Sequence, residues 1–437
     1  MKVYMIGIGG ASMSGLCEIL LEKDMCVCGS DSGGAPYLES LGVKVYKTHS
    51  EKNIPAGTQI VVYSSAISAE NPELKYAREN HICTFSRGEL LGLISRGFEK
   101  VVAVSGSHGK TTTTAMIGEI FAFAGLFATL HIGGENARKK CGNGGDIFLC
   151  EACEYCDNFL FLSPTVGVIL NVEYDHPDYF KTAVQQNKSF EKFAHSSEFV
   201  VTSKAVASKV DIPKGVFCEV LVCDATSLEF SQNPPDFSAR NLKSEKGKFA
   251  FDFYKKNSFI CEIQLKILGR FNVENALFAC VVGYLFGATP FEIQKGISGF
   301  FGVKRRLEQI GFANGCEIFC DYAHHPTQVL GISEIFGSET LVIFQPHTYS
   351  RTKAMLKEFV VALSGFENLI ITQTYPAREK FDYLGSGEHL CSNLQNAEFV
   401  SKDKLEKRLE TADFQRVLFL GAGDIHQIAR DYVLANK

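Results

Sequence analysis

Three things are missing from this 437-residue chain, and each absence removes a class of function. No stretch reaches the roughly 18 consecutive uncharged apolar residues of a membrane-spanning helix. The richest candidates, residues 115–132 and 276–291, are interrupted by Glu119 and Pro290 and read as buried helices. No block of lysine and arginine occurs and the net charge is −5, so the sequence offers no concentrated basic face for nucleic acid. No apolar leader is visible either. Met1-Lys2-Val3-Tyr4-Met5-Ile6 runs straight into a glycine turn, which predicts a chain with no secretory signal. The cysteines point the same way. There are 15, an odd number, and Cys17, Cys223, Cys280 and Cys320 sit inside apolar runs where a thiol acts as a small hydrophobe. A reducing, cytoplasmic setting is expected.

What is present is an ordinary globular composition, 46% apolar and 21% charged, with length for about three domains. The densest signal is Val101-Val102-Ala103-Val104-Ser105-Gly106-Ser107-His108-Gly109-Lys110-Thr111-Thr112. A continuous apolar run predicts a buried parallel strand; a glycine-rich turn then delivers a lysine and hydroxyls to a helix start. Glycines let backbone N–H groups approach oxyanions, the lysine adds a charge, and a threonine hydroxyl can reach Mg²⁺. Val104 occupies the place of the first glycine in the G-x-x-x-x-G-K-[ST] pattern, so the loop is a shortened one.

The chain begins with a second glycine turn. Residues 3–8 predict a strand, Gly7-x-Gly9-Gly10-x-Ser12-x-x-Gly15 a turn into a helix, and 25–28 a returning strand followed by Ser30-Asp31. Asp31 stands where a dinucleotide fold places its ribose contact, and Ser12 stands where the third glycine belongs, which disfavours NAD. Tight turns without any ligand are the plain alternative. Ser64-Ser65 follow a further strand at 59–63 and read as a binding edge. In the middle of the chain, residues 147–150 predict a strand that delivers Glu151 to its tip, a place suited to a Mg²⁺ ligand. Residues 166–170 predict another, ending in Asn171-Val172-Glu173-Tyr174-Asp175-His176-Pro177-Asp178. Such a polar cluster after a buried strand reads as a site. Cys150, Cys153 and Cys156 lack a fourth ligand, since Leu160 and Phe161 stand where an iron–sulfur pattern needs Cys and Pro.

Residues 199–267 are period-two and polar-rich, which predicts an antiparallel insertion. Asn272 and Asn275 then share one side of a helix start. Lys304-Arg305-Arg306 is either a solvated linker or a source of an arginine for a developing phosphate charge. Beyond it, predicted strands at 316–320, 340–344 and 416–420 end in Asp321-Tyr322-Ala323-His324-His325-Pro326, in Gln345-Pro346-His347-Thr348-Tyr349-Ser350-Arg351 and in Gly421-Ala422-Gly423-Asp424. Three polar tips on one edge of a parallel sheet again describe a site. The whole reads as α/β: a Rossmann-like first domain (1–96), a central P-loop-type parallel sheet with an antiparallel insertion (97–304), and a Rossmann-like third domain (305–437).

These motifs, taken together and in this order, resemble the Mur ligases of bacterial peptidoglycan synthesis, and within them the alanine-adding branch. The carriers are Gly7–Gly15, Gly106–Thr114, Glu151-Ala152-Cys153-Glu154-Tyr155 and Asp175-His176-Pro177-Asp178-Tyr179. Gly269-Arg270-Phe271-Asn272-Val273-Glu274-Asn275-Ala276, Asp321–Thr327 and Gln345–Thr352 complete the set. The resemblance implies an ATP- and Mg²⁺-dependent ligase that joins the lactyl carboxylate of UDP-N-acetylmuramate to L-alanine through an acyl phosphate. It implies a UDP-sugar site at Gly9, Gly10, Ser12, Asp31, Ser64 and Ser65. For ATP it implies Gly106, Ser107, His108, Gly109, Lys110, Thr111 and Thr112 at the phosphates, with Asn272 and Asn275 near adenine, Arg306 at the γ-phosphate and Asp321 at the ribose. Lys110, Glu151 and His176 are the catalytic set it implies, Thr111, Glu151 and His176 the metal set. Tyr322, His347 and Arg351 resemble the amino-acid pocket, Arg351 suiting a carboxylate bidentately. No nucleic acid or membrane partner is implied, and the state is monomer or homodimer. Two departures stand out: Ser12 replaces a glycine, and Phe271 stands where relatives often carry histidine. Rival readings are a sister ligase that attaches a recycled murein tripeptide, a non-catalytic relative that keeps the nucleotide fold, and an NAD-dependent dehydrogenase.

Overall fold

A computed structural model describes residues 1–133, 145–213, 217–222, 234–410 and 414–436. Cys223, expected in an apolar run, lies outside the described residues. The described residues group into two compact units: Met1–Val172 with Asn187–Glu219 and Leu285–Ala288, and Glu173–Gln186 with Val220–Tyr284 and Thr289–Lys437. The class is α/β with sheets rich in parallel pairs, as the alternation of apolar runs and helical patterns predicts.

In the first unit, β1 (Lys2–Ile6), β2 (Cys26–Ser30), β3 (Lys44–Tyr46), β4 (Ile60–Tyr63) and β5 (Cys83–Ser86) form a parallel sheet ordered β3-β2-β1-β4-β5. The strand order reverses between β1 and β4, so their carboxyl ends open the crevice where such sheets bind ligands. The Gly7 turn and Ser64 sit there. The next strands of this unit are β6 (Lys100–Ser105), β7 (Ala128–His131), β8 (Ile147–Glu151), β9 (Val166–Ile169) and β10 (Phe199–Ser203). They run parallel in the order β10-β9-β6-β8-β7. Val101 to Ser105 are all buried, which is why β6 reads as an unbroken apolar run. One core cluster reaches from Val3 and Met5 of β1 through Leu91 and Ile94 to Phe148, Phe159, Phe190 and Phe193.

The sequence predicts that the antiparallel insertion opens at Phe199, and here the structure differs. Phe199–Ser203 pairs parallel with β9, Val200 to Thr202 being buried without alternation. The antiparallel part lies in the second unit. There β12 (Phe237–Glu245), β13 (Lys248–Lys255) and β14 (Ser258–Leu268) form a meander, preceded by β11 (Phe217–Val222), whose Val220–Val222 pair parallel with β12.

The second unit also carries β15 (Glu308–Ala313), β16 (Cys316–Asp321), β17 (Thr340–Phe344), β18 (Asn368–Ile371), β19 (Ala397–Phe399) and β20 (Arg416–Leu420). Their order is β15-β16-β20-β17-β18-β19, with β15 alone antiparallel. Asp321 and Phe344 both register on Leu420, so the three polar tips expected of one sheet edge are neighbours. Among the described residues no helix is long and apolar enough to cross a membrane.

Candidate active site

The first glycine turn is closed by its own sheet. The N–H groups of Gly7 and Ile8 donate to the Ser30 carbonyl at 2.7 and 3.1 Å. Gly7 has φ +78°, the left-handed region that favours glycine. Asp31 caps the loop: its carboxylate oxygens accept Gly9 N–H at 3.0 Å and Gly33 N–H at 2.9 Å. A Cβ on Gly9 would lie 2.6 Å from the Gly34 carbonyl oxygen, so glycine is required. Gly9 and Gly10 stay exposed. Ser12, the departure in this loop, has a partner: its hydroxyl lies 3.0 Å from Nε2 of His131 at the end of β7. Ser64 lies beside Gly7, and the Ser65 hydroxyl accepts from Asn158 at 3.5 Å.

The second loop is braced by Asn171, just past β9. Ser107 N–H donates to its carbonyl at 3.2 Å, His108 N–H donates to its Oδ1 at 2.8 Å, and its Nδ2 returns a bond to the His108 carbonyl at 3.1 Å. Gly106 takes φ +136° and Gly109 φ +85°, the latter turning the chain into the helix Lys110–Phe123. Lys110 is gathered back over the loop. Its ammonium donates to the Gly106 and Ser107 carbonyls and to Glu154, whose carboxylate oxygens lie 2.9 and 3.2 Å away. Burial would depress this ammonium, but the acidic groups around it, Glu154 foremost and Glu151 among them, together outweigh that and hold its pKa above the ordinary lysine value. Glu151 ends β8 in register with Val104, and its Oε1 accepts Gly133 N–H at 3.0 Å. Thr111 is half-buried and Thr112 buried in the helix's first turn. Cys150, Cys153 and Cys156 form no ligand cluster among the described residues, and burial pushes the Cys150 thiol up.

The second unit assembles a separate group of polar side chains. Asp175 and Arg351 form a buried ion pair: Nε donates to Oδ1 at 2.9 Å and Nη2 lies 2.9 Å from the same oxygen, the side chains being 4% and 6% exposed. Oδ1 also accepts the His176 N–H at 2.7 Å, with His176 itself at φ +55°. Burial would raise the Asp175 carboxyl, but the Arg351 guanidinium beside it holds it below the usual carboxylate range. The Nη1 group of Arg351 faces His347, at 3.3 Å from Nδ1. The Nε/Nη2 edge is therefore taken by Asp175, and Nη1 also donates to the His347 carbonyl oxygen at 3.4 Å.

His347 stacks on Tyr375 with centroids 5.5 Å apart, and Thr348, which follows it, takes φ +67°, a strained conformation for a β-branched residue. Burial and then the Arg351 charge bring the His347 pKa down to about 4. His324 sits edge-on to Tyr322 and His347, its ring centroid 5.1 and 5.7 Å from theirs, and is held neutral by burial and by Arg351. Tyr322 lies under two guanidinium groups, Arg305 at 4.6 Å and Arg306 at 5.0 Å. Asp321 is buried, and its two oxygens accept Leu307 N–H at 2.8 Å and Ala323 N–H at 2.6 Å, tying the basic segment to the tip of β16. Asn272 and Asn275 do share one side of the helix Phe271–Leu285: Asn275 donates to Asn272 at 3.0 Å, and Asn272 to the Leu268 carbonyl at 2.7 Å.

The motifs assign roles to Arg351 and His176; Asp175 and His324 fall within polar strand tips that read as sites, and Glu154 within a family motif, but none of the three carries a role in the sequence. The signal for Asp175 is its place in the polar run after β9. For Glu154 it is an acidic residue three positions after Glu151.

Residues 2–99 match the model described as "Mur ligase family, catalytic domain", and residues 104–283 the one described as "Mur ligase middle domain". A UDP-N-acetylmuramate–L-alanine ligase from Clostridium tetani is 37% identical over 451 residues, covering 98% of this chain and 96% of that one. The chain belongs to the Mur ligase family. A second family member of the same name, from Acetivibrio thermocellus, is 37% identical over 99% of this chain and 95% of its own. Among solved structures, the fold matches that of a UDP-N-acetylmuramate–alanine ligase from Thermotoga maritima, with a TM-score of 0.82 at 24% identity over 100% and 99% of the two chains. A murein peptide ligase from Psychrobacter arcticus has the same fold at a TM-score of 0.73, with 18% identity over 100% and 98% of the two chains.

Proposed function

We propose that this Mur ligase joins L-alanine to the lactyl carboxylate of UDP-N-acetylmuramate at the expense of ATP, in the cytoplasm. The observation that carries the reading is the full-length identity to L-alanine ligases, with the loop at 106–112 and its lysine intact. A carboxylate is a poor electrophile, so its oxygen first takes the γ-phosphoryl group of ATP. The alanine amine then attacks the acyl phosphate, and phosphate leaves. Such transfers are governed by positioning and charge stabilisation.

In this reading residues 1–96 hold the UDP-sugar, 97–304 the nucleotide and 305–437 the amino acid. Gly9, Gly10, Ser12, Asp31, Ser64 and Ser65 frame the sugar nucleotide, with Asp31 acting chiefly as the brace of the glycine loop. Gly106 to Thr112 cradle the phosphates, Lys110 exchanging Glu154 for the β- and γ-phosphate oxygens. Thr111 and Glu151 offer the oxygen donors that Mg²⁺ takes, and a bound Mg²⁺ would neutralise charge on those phosphates. His176, a nitrogen donor, serves a second metal or the acyl phosphate. Asn272 and Asn275 meet adenine, Asp321 the ribose and Arg306 the γ-phosphate. Tyr322, His347 and Arg351 take the amino acid.

Release of ADP should be measured with UDP-N-acetylmuramate and ATP against L-alanine, L-serine, glycine and the recycled tripeptide. L-Alanine is expected to be turned over fastest. Turnover with the tripeptide alone would replace this reading by that of the murein peptide ligase.

A further inference from the structure

We infer that His324 is the group that takes the proton from the amine of the amino acid as the amide bond forms. The inference rests on the proposed function and on a comparison of His324, His325 and His347, the three imidazoles at the tips of β16 and β17.

A neutral imidazole has one N–H and one lone pair, so the partners of its two nitrogens decide which can accept a proton. In His347, Nδ1 lies 3.3 Å from Nη1 of Arg351, and a guanidinium can only donate. The lone pair of His347 is therefore on Nδ1 and already engaged. In His325, Nε2 lies 3.3 Å from the Tyr174 carbonyl oxygen, which can only accept, and Nδ1 receives the Thr327 N–H at 3.4 Å. Both its nitrogens are committed, Nδ1 to capping the helix Pro326–Ser333 and Nε2 to the Tyr174 carbonyl. His324 is arranged differently. Its Nδ1 lies 2.8 Å from the Tyr322 carbonyl oxygen, so Nδ1 carries the proton and the lone pair is on Nε2. No described residue takes a hydrogen bond at that nitrogen.

The backbone thus does for His324 what a carboxylate does in a hydrolytic triad: it sets the tautomer and the ring orientation. The ring sits against Tyr322 and His347, two of the three side chains assigned to the amino acid. Burial and the Arg351 charge keep it neutral, so its lone pair is available at neutral pH. So weak a base suits a late proton transfer, from a nitrogen made acidic by the new bond.

The step balances as follows. The amine nitrogen's lone pair forms the C–N bond to the acyl carbon, and the carbonyl π pair moves onto oxygen. One N–H bond breaks, its proton passing to Nε2 of His324. The oxygen's pair re-forms the carbonyl as the C–O bond to phosphate breaks, and phosphate leaves with that bonding pair. His324 then returns its proton to solvent.

His324→Asn and His324→Gln separate this role from a structural one. Asparagine can still donate to the Tyr322 carbonyl but has nothing at the Nε2 position. For His324→Asn, kcat with L-alanine should fall by about 10²–10⁴-fold, the usual contribution of a general base, with KM for L-alanine changed less than about threefold. Positional isotope exchange in ATP with UDP-N-acetylmuramate alone reads the acyl-phosphate step and should be unchanged. His324→Gln should fall at least tenfold. An active asparagine variant, or isotope exchange that falls in step with kcat, would overturn the assignment. Absence of L-alanine-dependent ADP release from the wild-type enzyme would instead refute the proposed function.

Discussion

Replacing Asp175 by asparagine tests whether the buried pair with Arg351 organises the second unit's polar cluster. The side chains are nearly isosteric, so the change removes a charge and little volume. It leaves the Arg351 guanidinium buried beside His324 and His347, both held neutral at pH 7, with its anionic acceptor gone. Breaking one side of a buried pair costs about 3–5 kcal/mol, a large part of the roughly 5–15 kcal/mol that holds an ordinary domain together. The uncompensated charge is the source of that cost, so removing the arginine as well should recover part of it. In urea unfolding, Asp175→Asn should lower the midpoint with little change in slope. The double variant Asp175→Asn/Arg351→Met should be more stable than the sum of the single changes by at least about 1.5 kcal/mol. Additivity within about 0.5 kcal/mol would refute the reasoning, because it would mean the two groups do not depend on each other. The pH dependence has a definite sign. The Asp175 carboxyl is depressed in the folded chain, so its contribution is complete above the unfolded value of about 3.9 and is lost as pH falls below it. The difference between wild type and Asp175→Asn should therefore narrow in acid. His347 acts over a higher range. Its pKa falls from 6.5 unfolded to about 4 folded, so the unfolded chain takes the proton first, and stability drops as pH falls from 6.5 to about 4.

Lys110→Ala should abolish ligation while UDP-sugar affinity, read by calorimetry, changes less than about threefold; a joint collapse would contradict the division of labour. Gly106→Ala should weaken ATP binding by at least tenfold. A Cβ there would lie 3.0 Å from the Leu170 side chain on a backbone at φ +136°, so the loop must move; unchanged ATP affinity would show that its shape is unimportant.

How much was legible in the sequence follows from range. Short-range patterns carried the strands, because a buried parallel strand must be apolar throughout: Val101–Val104 and Val166–Ile169 declare themselves. The glycines at 9 and 106 are legible for a similar reason: an added Cβ would meet the Gly34 carbonyl oxygen at 2.6 Å in the one case and the Leu170 side chain at 3.0 Å in the other. Seven motifs in order then named the family. Even Asn272 and Asn275 follow from helical spacing alone. Phe199–Ser203 differs from the period-two expectation because the polar residues after it mask its own unbroken apolar run.

What tertiary structure alone decided is the partner of each polar group. Asp175 and Arg351 are 176 residues apart, Lys110 and Glu154 are 44 apart, and no periodicity links either pair. The same holds for Ser12, whose apparent defect in a glycine motif is a contact with His131, 119 residues on. The tautomer of His324 depends on a carbonyl turned toward it by the tip of β16, a direction that no residue type specifies. A sequence states which groups can donate or accept; only the fold, by bringing distant strand tips to one edge, settles which of them do.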